Sequence, residues 1–216
     1  QLNRLATDSE EGRHVASSIF DFKMQEQSKN TDFAILYRTN AQSRAMEDAL
    51  RKIDIPYQIY GGLSFYQRKE VKDLLAYLRL IVNPRDEESL KRVINYPARG
   101  IGQTTVDKLV IASKKHGLSL FDTIIKAKEL GINLNAGTLS KLSNFSNLIL
   151  RFQIENDSLN AFDIADLVTK KIGLIYELKK DATPEGISRI ENVEELLNGI
   201  RDFTEEQKEL ADTTAN

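Results

Sequence analysis

From Ser64 onward one signal recurs. A hydroxyl residue is followed three positions later by an acid or amide, and then by apolar residues at helical spacing. Ser64 with Gln67, Thr104 with Asp107, Ser119 with Asp122 and Ser188 with Glu191 all fit it. In such a capping box the hydroxyl accepts from a free N–H at the helix start, and the second side chain reaches back to another. Behind Ser64, the residues Val71, Leu74, Leu75, Leu78, Ile81 and Val82 keep the helical period until Asn83-Pro84 ends it. Behind Ser188, Ile190, Val193, Leu196, Leu197, Ile200 and Phe203 do the same. Between them the pattern predicts a short helix near 87–95 and one over 106–115, stopped at His116-Gly117. Another runs from Ser119 towards Gly131. A long one is marked by Leu139, Leu142, Phe145, Leu148, Ile149 and Phe152, and two more lie near 162–172 and 174–179. A chain punctuated this way builds an all-α domain, and no strand signal interrupts it.

Residues 1–61 read differently. Residues 2–5 form a short strand candidate. Asp8 or Ser9 can cap a helix carrying Val15, Ile19 and Phe20, and the apolar run FAILY at 33–37 has the length of a buried strand. A helix with Ala45, Met46, Ala49, Leu50 and Ile53 on one face follows, Pro56 breaks it, and YQIYGG reads as a third strand. The order β-α-β-α-β implies parallel strands with crossover helices. The expected fold class is therefore an α/β fragment over 1–61 followed by an all-α helical domain over 62–216, mainly α overall.

Composition narrows the chemistry. Of 216 residues 41% are hydrophobic, enough for a core, and the formal net charge of -2 rules out a globally basic coat without excluding a local basic face. Charge is in fact uneven. Between Lys91 and His116 six Lys/Arg face Asp107 alone, whereas from Glu191 to Asp212 eight acids face Arg201 and Lys208. With no cysteine and only His14 and His116, thiolate and histidine-rich metal sites are not expected. No apolar run reaches membrane-spanning length and no leader is visible, so a cytoplasmic location is expected. An opening Gln1 and the polar end KELADTTAN suggest a segment of a longer protein. The sequence contains no GxxxxGK[ST], no G-x-S-x-G, no H-E-x-x-H and no GxGxxG after a strand, so no catalytic residue is assigned.

Four stretches could carry function. YRTNAQSR, at 37–44, follows a predicted strand. Arg38 offers a donor fork suited to phosphate, Asn40 donates and accepts, and Tyr37 gives a stacking face; helix capping and solvated arginines explain the same residues. YGGLSFYQRKEVKD, at 60–73, contains a flexible joint at Tyr60, Gly61 and Gly62. It then places Arg68 and Lys69 in a first helical turn, where an anion must offset them, either DNA or Glu70 and Asp73. NYPARGIGQTTVDKL, at 95–109, clusters Pro97, Gly100 and Gly102 at a helix start. That geometry can hold one phosphate on backbone N–H groups, or can serve as a plain interhelical turn. SRIENVEELLNGI, at 188–200, is an amphipathic helix that packing alone explains, with Arg189 and Glu191 able to brace an interdomain contact.

In this order the stretches closely resemble the UvrD/Rep/PcrA group of superfamily 1 DNA helicases, most specifically in ILYRTNAQSRAMEDAL, PYQIYGGLSFYQRKEVKDLLAYLRLIVNP, INYPARGIGQTTVDKL and RIENVEELL. The resemblance covers about 33–203 and is weak from about 117 to 180. It implies an ATP- and Mg²⁺-driven motor that moves 3′ to 5′ on single-stranded DNA and unwinds duplex. Residues 1–61 would be part of the second RecA-like motor domain, and 62–216 most of its helical insertion. On this reading Tyr37, Arg38 and Asn40 meet the single strand. Arg99, Gly100, Ile101, Gly102, Thr104 and Thr105 meet the duplex backbone, and Tyr60, Gly61 and Gly62 form the swivel. The family's P-loop and Mg²⁺-binding acidic pair are not in this sequence, so ATP and Mg²⁺ are expected of the parent protein and not of this segment. The other motor domains, and repair or transcription proteins, are the expected partners besides DNA; no membrane is. The alternative reading is a helical protein-interaction or regulatory module in which the GIG turn is purely structural.

Overall fold

A computed structural model describes residues 2–214. Its regular elements are the α-helices α1 (Asp8–Glu26), α2 (Ser43–Lys52), α3 (Lys69–Val82), α4 (Glu87–Val93), α5 (Gln103–His116), α6 (Leu120–Ile125), α7 (Ala136–Asn156), α8 (Ala161–Ile172), α9 (Leu174–Leu178) and α10 (Pro184–Thr214). Single 3₁₀ turns occur at Asn30–Asp32 and Phe65–Gln67.

The expected α/β fragment is not there: no β-strand occurs among the described residues, and the fold is helical. The reason lies in what a strand requires. Residues 33–37 begin extended (Phe33 φ −113°, ψ 142°), and their side chains alternate, with Phe33, Ile35 and Tyr37 half-buried and Ala34 and Leu36 exposed. Leu36 is 93% exposed. The period is that of a strand, but among the described residues no second segment lies alongside to exchange N–H and C=O, and a ladder needs both partners. Residues 2–5 are exposed, Leu2 at 98%, and residues 57–60 also lack a ladder partner among the described residues. An apolar run reports burial, and burial on one face against helices satisfies it equally well.

The chain forms two compact units. The first comprises residues up to Lys72 together with those from Leu178 onward. In it α1 lies against α2 so closely that a Cβ on Gly12 would stand 2.4 Å from the Ala45 carbonyl oxygen. Ala16, Ala49, Leu50 and Ile55, with Ile19 and Ile35 at the edge, form the core beside them. The second unit, Asp73–Glu177, is a helical bundle. Its fully buried side chains include Leu74, Tyr77, Leu80, Leu90, Leu109, Leu120, Leu142, Phe145 and Phe152. The chain passes between the units within α3 and again at the end of α9, so the Tyr60, Gly61, Gly62 stretch falls inside the first unit.

Helix starts follow local chemistry, though not always through the expected cap. Thr7, Asp86, Ser119, Asn135 and Asn160 each accept a backbone N–H at the start of α1, α4, α6, α7 and α8. Ser64 instead precedes the 3₁₀ turn and gives its hydroxyl to Glu47. Ser188 lies within α10, whose first turn is held by Thr183 Oγ1 accepting from the Gly186 N–H at 3.2 Å.

Candidate nucleic-acid interface

In the second unit, α4 and α5 are joined by the turn that carries Pro97, Gly100 and Gly102. Asn95 staples it: its Oδ1 accepts from the N–H of Arg99 and of Ile101, both at 3.0 Å. Ile101 is buried and anchors the turn, while Gly100 sits at φ +70°, a left-handed conformation that favours glycine. Gly102 then serves as the N-cap of α5 with no side chain to offer, so the Thr104 capping box does not form. The first N–H groups of a helix have no partner within it. At the other starts named above a side chain takes one up, and at α5 none does. Those N–H groups and the positive end of the helix dipole suit an anion.

The cations are distributed unlike the sequence count. Arg99 is turned into the protein: its Nη1 donates to the carbonyl oxygens of Val93 (2.9 Å), Tyr96 (3.1 Å) and Pro97 (3.2 Å), and its Nη2 to the Tyr77 hydroxyl (2.6 Å). Lys91 pairs with Glu87 at 3.0 Å, Arg92 with Asp73 at 2.7 Å, and Lys108 donates to the Asn133 carbonyl at 2.8 Å. Lys114 and Lys115 are exposed in the last turn of α5, about 17 Å from its start at 1.5 Å per residue. The cation beside the turn comes from α7: exposed Lys141 donates to the Gly100 carbonyl at 3.2 Å. Sequence spacing gave no hint of it, because 41 residues separate the two. Thr104 is exposed and Thr105 half-buried in the first turn.

In the first unit, the YRTN stretch forms the turn before α2. Gln42 Oε1 accepts from the N–H of Arg38 (2.9 Å) and Thr39 (3.0 Å), and the Arg38 residue is exposed. Tyr37, Asn40, Tyr60, Gly61 and Gly62 border one groove of about 710 Å³, whereas Arg38, the remaining strand-contact candidate, is not in its lining. The buried groups behind the groove include Arg68 and Glu70, a cation and an offsetting acid that the sequence offered, and Asn192, which it did not single out. Arg68 donates from Nη1 to the Asn40 carbonyl and to Asn192 Oδ1, both at 2.7 Å, and from Nη2 to Ser43 Oγ at 3.0 Å. Asn192 in turn donates to Glu70 Oε1 at 2.7 Å. Burial draws the Arg68 guanidinium down from its usual range, with Glu47 and Glu70 opposing. Alongside, Arg44 Nε meets Glu195 Oε1 at 2.7 Å, with the two side chains 6% and 8% exposed. Burial lifts the Glu195 carboxyl above the usual carboxylate range, although Arg44 pulls the other way. Arg68 of the QRKE stretch is therefore answered within the protein. On α10 Glu195 braces α2 through Arg44 and Asn192 holds Arg68 and Glu70, while Arg189 pairs with Asp181 at 3.0 Å. Among the described residues no group of three or more His, Cys, Asp or Glu could hold a metal ion, and no helix is long and apolar enough to cross a membrane.

Three of the four stretches that carry the family resemblance thus meet in one buried cluster, and the fourth builds the uncapped turn. Comparison with known proteins agrees. A family model described as the UvrD-like helicase C-terminal domain matches residues 1–215. Among similar proteins, the ATP-dependent DNA helicase PcrA of Bacillus subtilis is 37% identical over 199 residues, covering 92% of this chain and 27% of that protein. PcrA of Staphylococcus aureus is 38% identical over the same length and coverage, and DNA helicase II of Haemophilus influenzae is 39% identical over 209 residues, 95% of this chain and 28% of its own. The chain spans just over a quarter of the length of the curated relatives it matches. A match over nearly its whole length shows that the chain belongs to the UvrD-like helicase C-terminal domain family.

Proposed function

We propose that this chain is a DNA-engaging segment of an ATP-dependent helicase that moves 3′ to 5′, and that it grips the duplex backbone through the turn at Gly100, Ile101 and Gly102. The observation that carries this reading is the start of α5: an uncapped set of N–H groups on a turn stapled by Asn95, with Lys141 beside it. Such a site takes a phosphate without reading a base. Thr104 and Thr105 stand in the same first turn and extend the contact. ATP and Mg²⁺ chemistry belongs to the parent helicase, since this sequence carries no P-loop. In the first unit Tyr37 and Asn40 border the groove, and Arg38, exposed between them in the chain, offers its guanidinium to a phosphate of the single strand.

Fluorescence anisotropy with a 3′-tailed duplex, a blunt duplex and a single strand across a salt series tests this. Each phosphate neutralised by a Lys or Arg contributes about 0.9 to the slope of log affinity against log salt on duplex. Duplex-containing ligands should bind with a measurable slope, and Gly100→Val should weaken that binding, while Arg38→Ala weakens single-strand binding alone. Duplex binding indifferent to Gly100→Val removes the turn from the interface.

A second reading has its own observation. The C-terminal half of α10 exposes Glu205, Glu206 and Glu209 next to Phe203, which is 55% exposed. An acidic, part-apolar helix face suits a basic protein partner. A pull-down that survives nuclease treatment and Gly100→Val, and fails when these acids become Lys, would favour that role.

A further inference from the structure

We infer that Arg99 and Tyr77 are positioning residues of the duplex-facing turn: they shape it from inside, and Arg99 makes no phosphate contact itself. This rests on the reading of that turn as a backbone-phosphate site.

The donors of Arg99 decide the matter. Nη1 is shared among three carbonyl oxygens, those of Val93, Tyr96 and Pro97, and Nη2 is given to the Tyr77 hydroxyl. An end-on bidentate grip on phosphate needs N–H groups of both Nη atoms; here Nη1 is shared among three carbonyls and Nη2 is given to Tyr77, which leaves only the Nε–H and one Nη2–H outside these bonds. The guanidinium carbon also lies 5.7 Å from the centre of the Tyr77 ring and 5.4 Å from that of Phe145, within cation–π range. Both rings are buried, Tyr77 on α3 and Phe145 on α7.

Tyr77 is the other half of the strut. Its hydroxyl accepts from Arg99 and donates to the Tyr96 carbonyl. Burial pushes the phenol up to about 12, although Arg99 pulls it down, so it keeps its proton and its donor role. The pair therefore collects the carbonyl oxygens of 93, 96 and 97 around one cation. Asn95 meanwhile takes the N–H groups of 99 and 101. What the turn has left to offer an anion is the set of N–H groups at the start of α5. Lysine could supply the charge of Arg99 but not its fork, so charge and shape can be separated.

The test uses the 216-residue chain with blunt duplex across a salt series, for wild type, Arg99→Lys, Arg99→Gln and Tyr77→Phe. All three variants should bind about tenfold more weakly, the effect of one lost charge-assisted hydrogen bond, with the salt slope unchanged. Amide hydrogen exchange without DNA should quicken at residues 99–104 in each, and stay as in wild type along α8, which reports an intact bundle. The inference is overturned if Arg99→Lys binds like wild type while Arg99→Gln flattens the slope by about one, because that is the signature of a phosphate contact. Unchanged exchange at 99–104 in Tyr77→Phe overturns the strut as well. A wild-type chain that binds no duplex at low salt contradicts the function proposed above, and the exchange data then decide the strut alone.

Discussion

The buried cluster of the first unit and the GIG turn of the second each centre on an arginine bonded to main-chain carbonyls, yet they do different things. Arg68 is 7% exposed and its partners close around it: the Asn40 carbonyl, Ser43 and Asn192, with Glu70 behind. Little is left over for a ligand, so this cluster fixes chain geometry. Arg99 is also bonded inward, but the turn above it ends in a helix start with no capping side chain. The difference teaches that an arginine in a motif is weak evidence for a phosphate contact. What marks the interface is the donor set that the protein leaves unanswered.

The largest expected effect concerns the closed cluster. Glu195→Ala strands Arg44 in a buried site with Asp48 at 3.3 Å and Asp202 at 3.8 Å as its remaining partners. Stability should fall by about 3 kcal/mol in urea titration. Replacing both members, Arg44→Met with Glu195→Leu, should restore most of it, because a buried pair contributes little net stability over a well-packed apolar one. A small loss for Glu195→Ala would break the contrast between the two regions.

Arg68→Lys comes next. It keeps the charge but cannot serve Asn40, Ser43 and Asn192 together, so a loss of about 2 kcal/mol is expected in the same titration. Single-strand affinity should fall with it, since the Asn40 turn loses its anchor.

Gly100→Ala should cost about 1–2 kcal/mol, from the left-handed backbone alone. The new Cβ would also meet Lys141 Nζ at 2.6 Å. That side chain is flexible and exposed, so in a Lys141→Ala background the cost should shrink only slightly. Thermal melts of the four variants in the cycle measure this coupling.

The smallest effect is at Asp86, the N-cap of α4. Its Oδ1 accepts from the Ser89 N–H at 3.0 Å, and that bond holds its carboxyl below the usual carboxylate range. A group with a depressed folded value adds stability that is present above its unfolded value, about 3.9, and is lost as pH falls through the folded one. Asp86→Ala should therefore lose about 1 kcal/mol at neutral pH and much less in acid, as melts at the two pH values would show.

Much of the helical fold was legible, because caps, breakers and apolar period are local signals. Ser119 does cap α6, and His116-Gly117 does end α5 with Gly117 left-handed. The strands were misread at 33–37 because an apolar run does not say whether a second strand is beside it. At the site, the Gly100 turn could be read from its residues. The inward turn of Arg99 could not, since it depends on Tyr77 from 22 residues earlier. Lys141 and Asn192 were equally hidden: each becomes meaningful through a partner 41 or 124 residues away.

The most direct test of the central claim is a titration of the isotope-labelled chain with blunt duplex, following backbone amide resonances. The account predicts saturable shifts at residues 100–105, reversed by salt, with the resonances of Lys114 and Lys115 little affected. Duplex that binds with its shifts gathered at Lys114 and Lys115, and none at the turn, would contradict it.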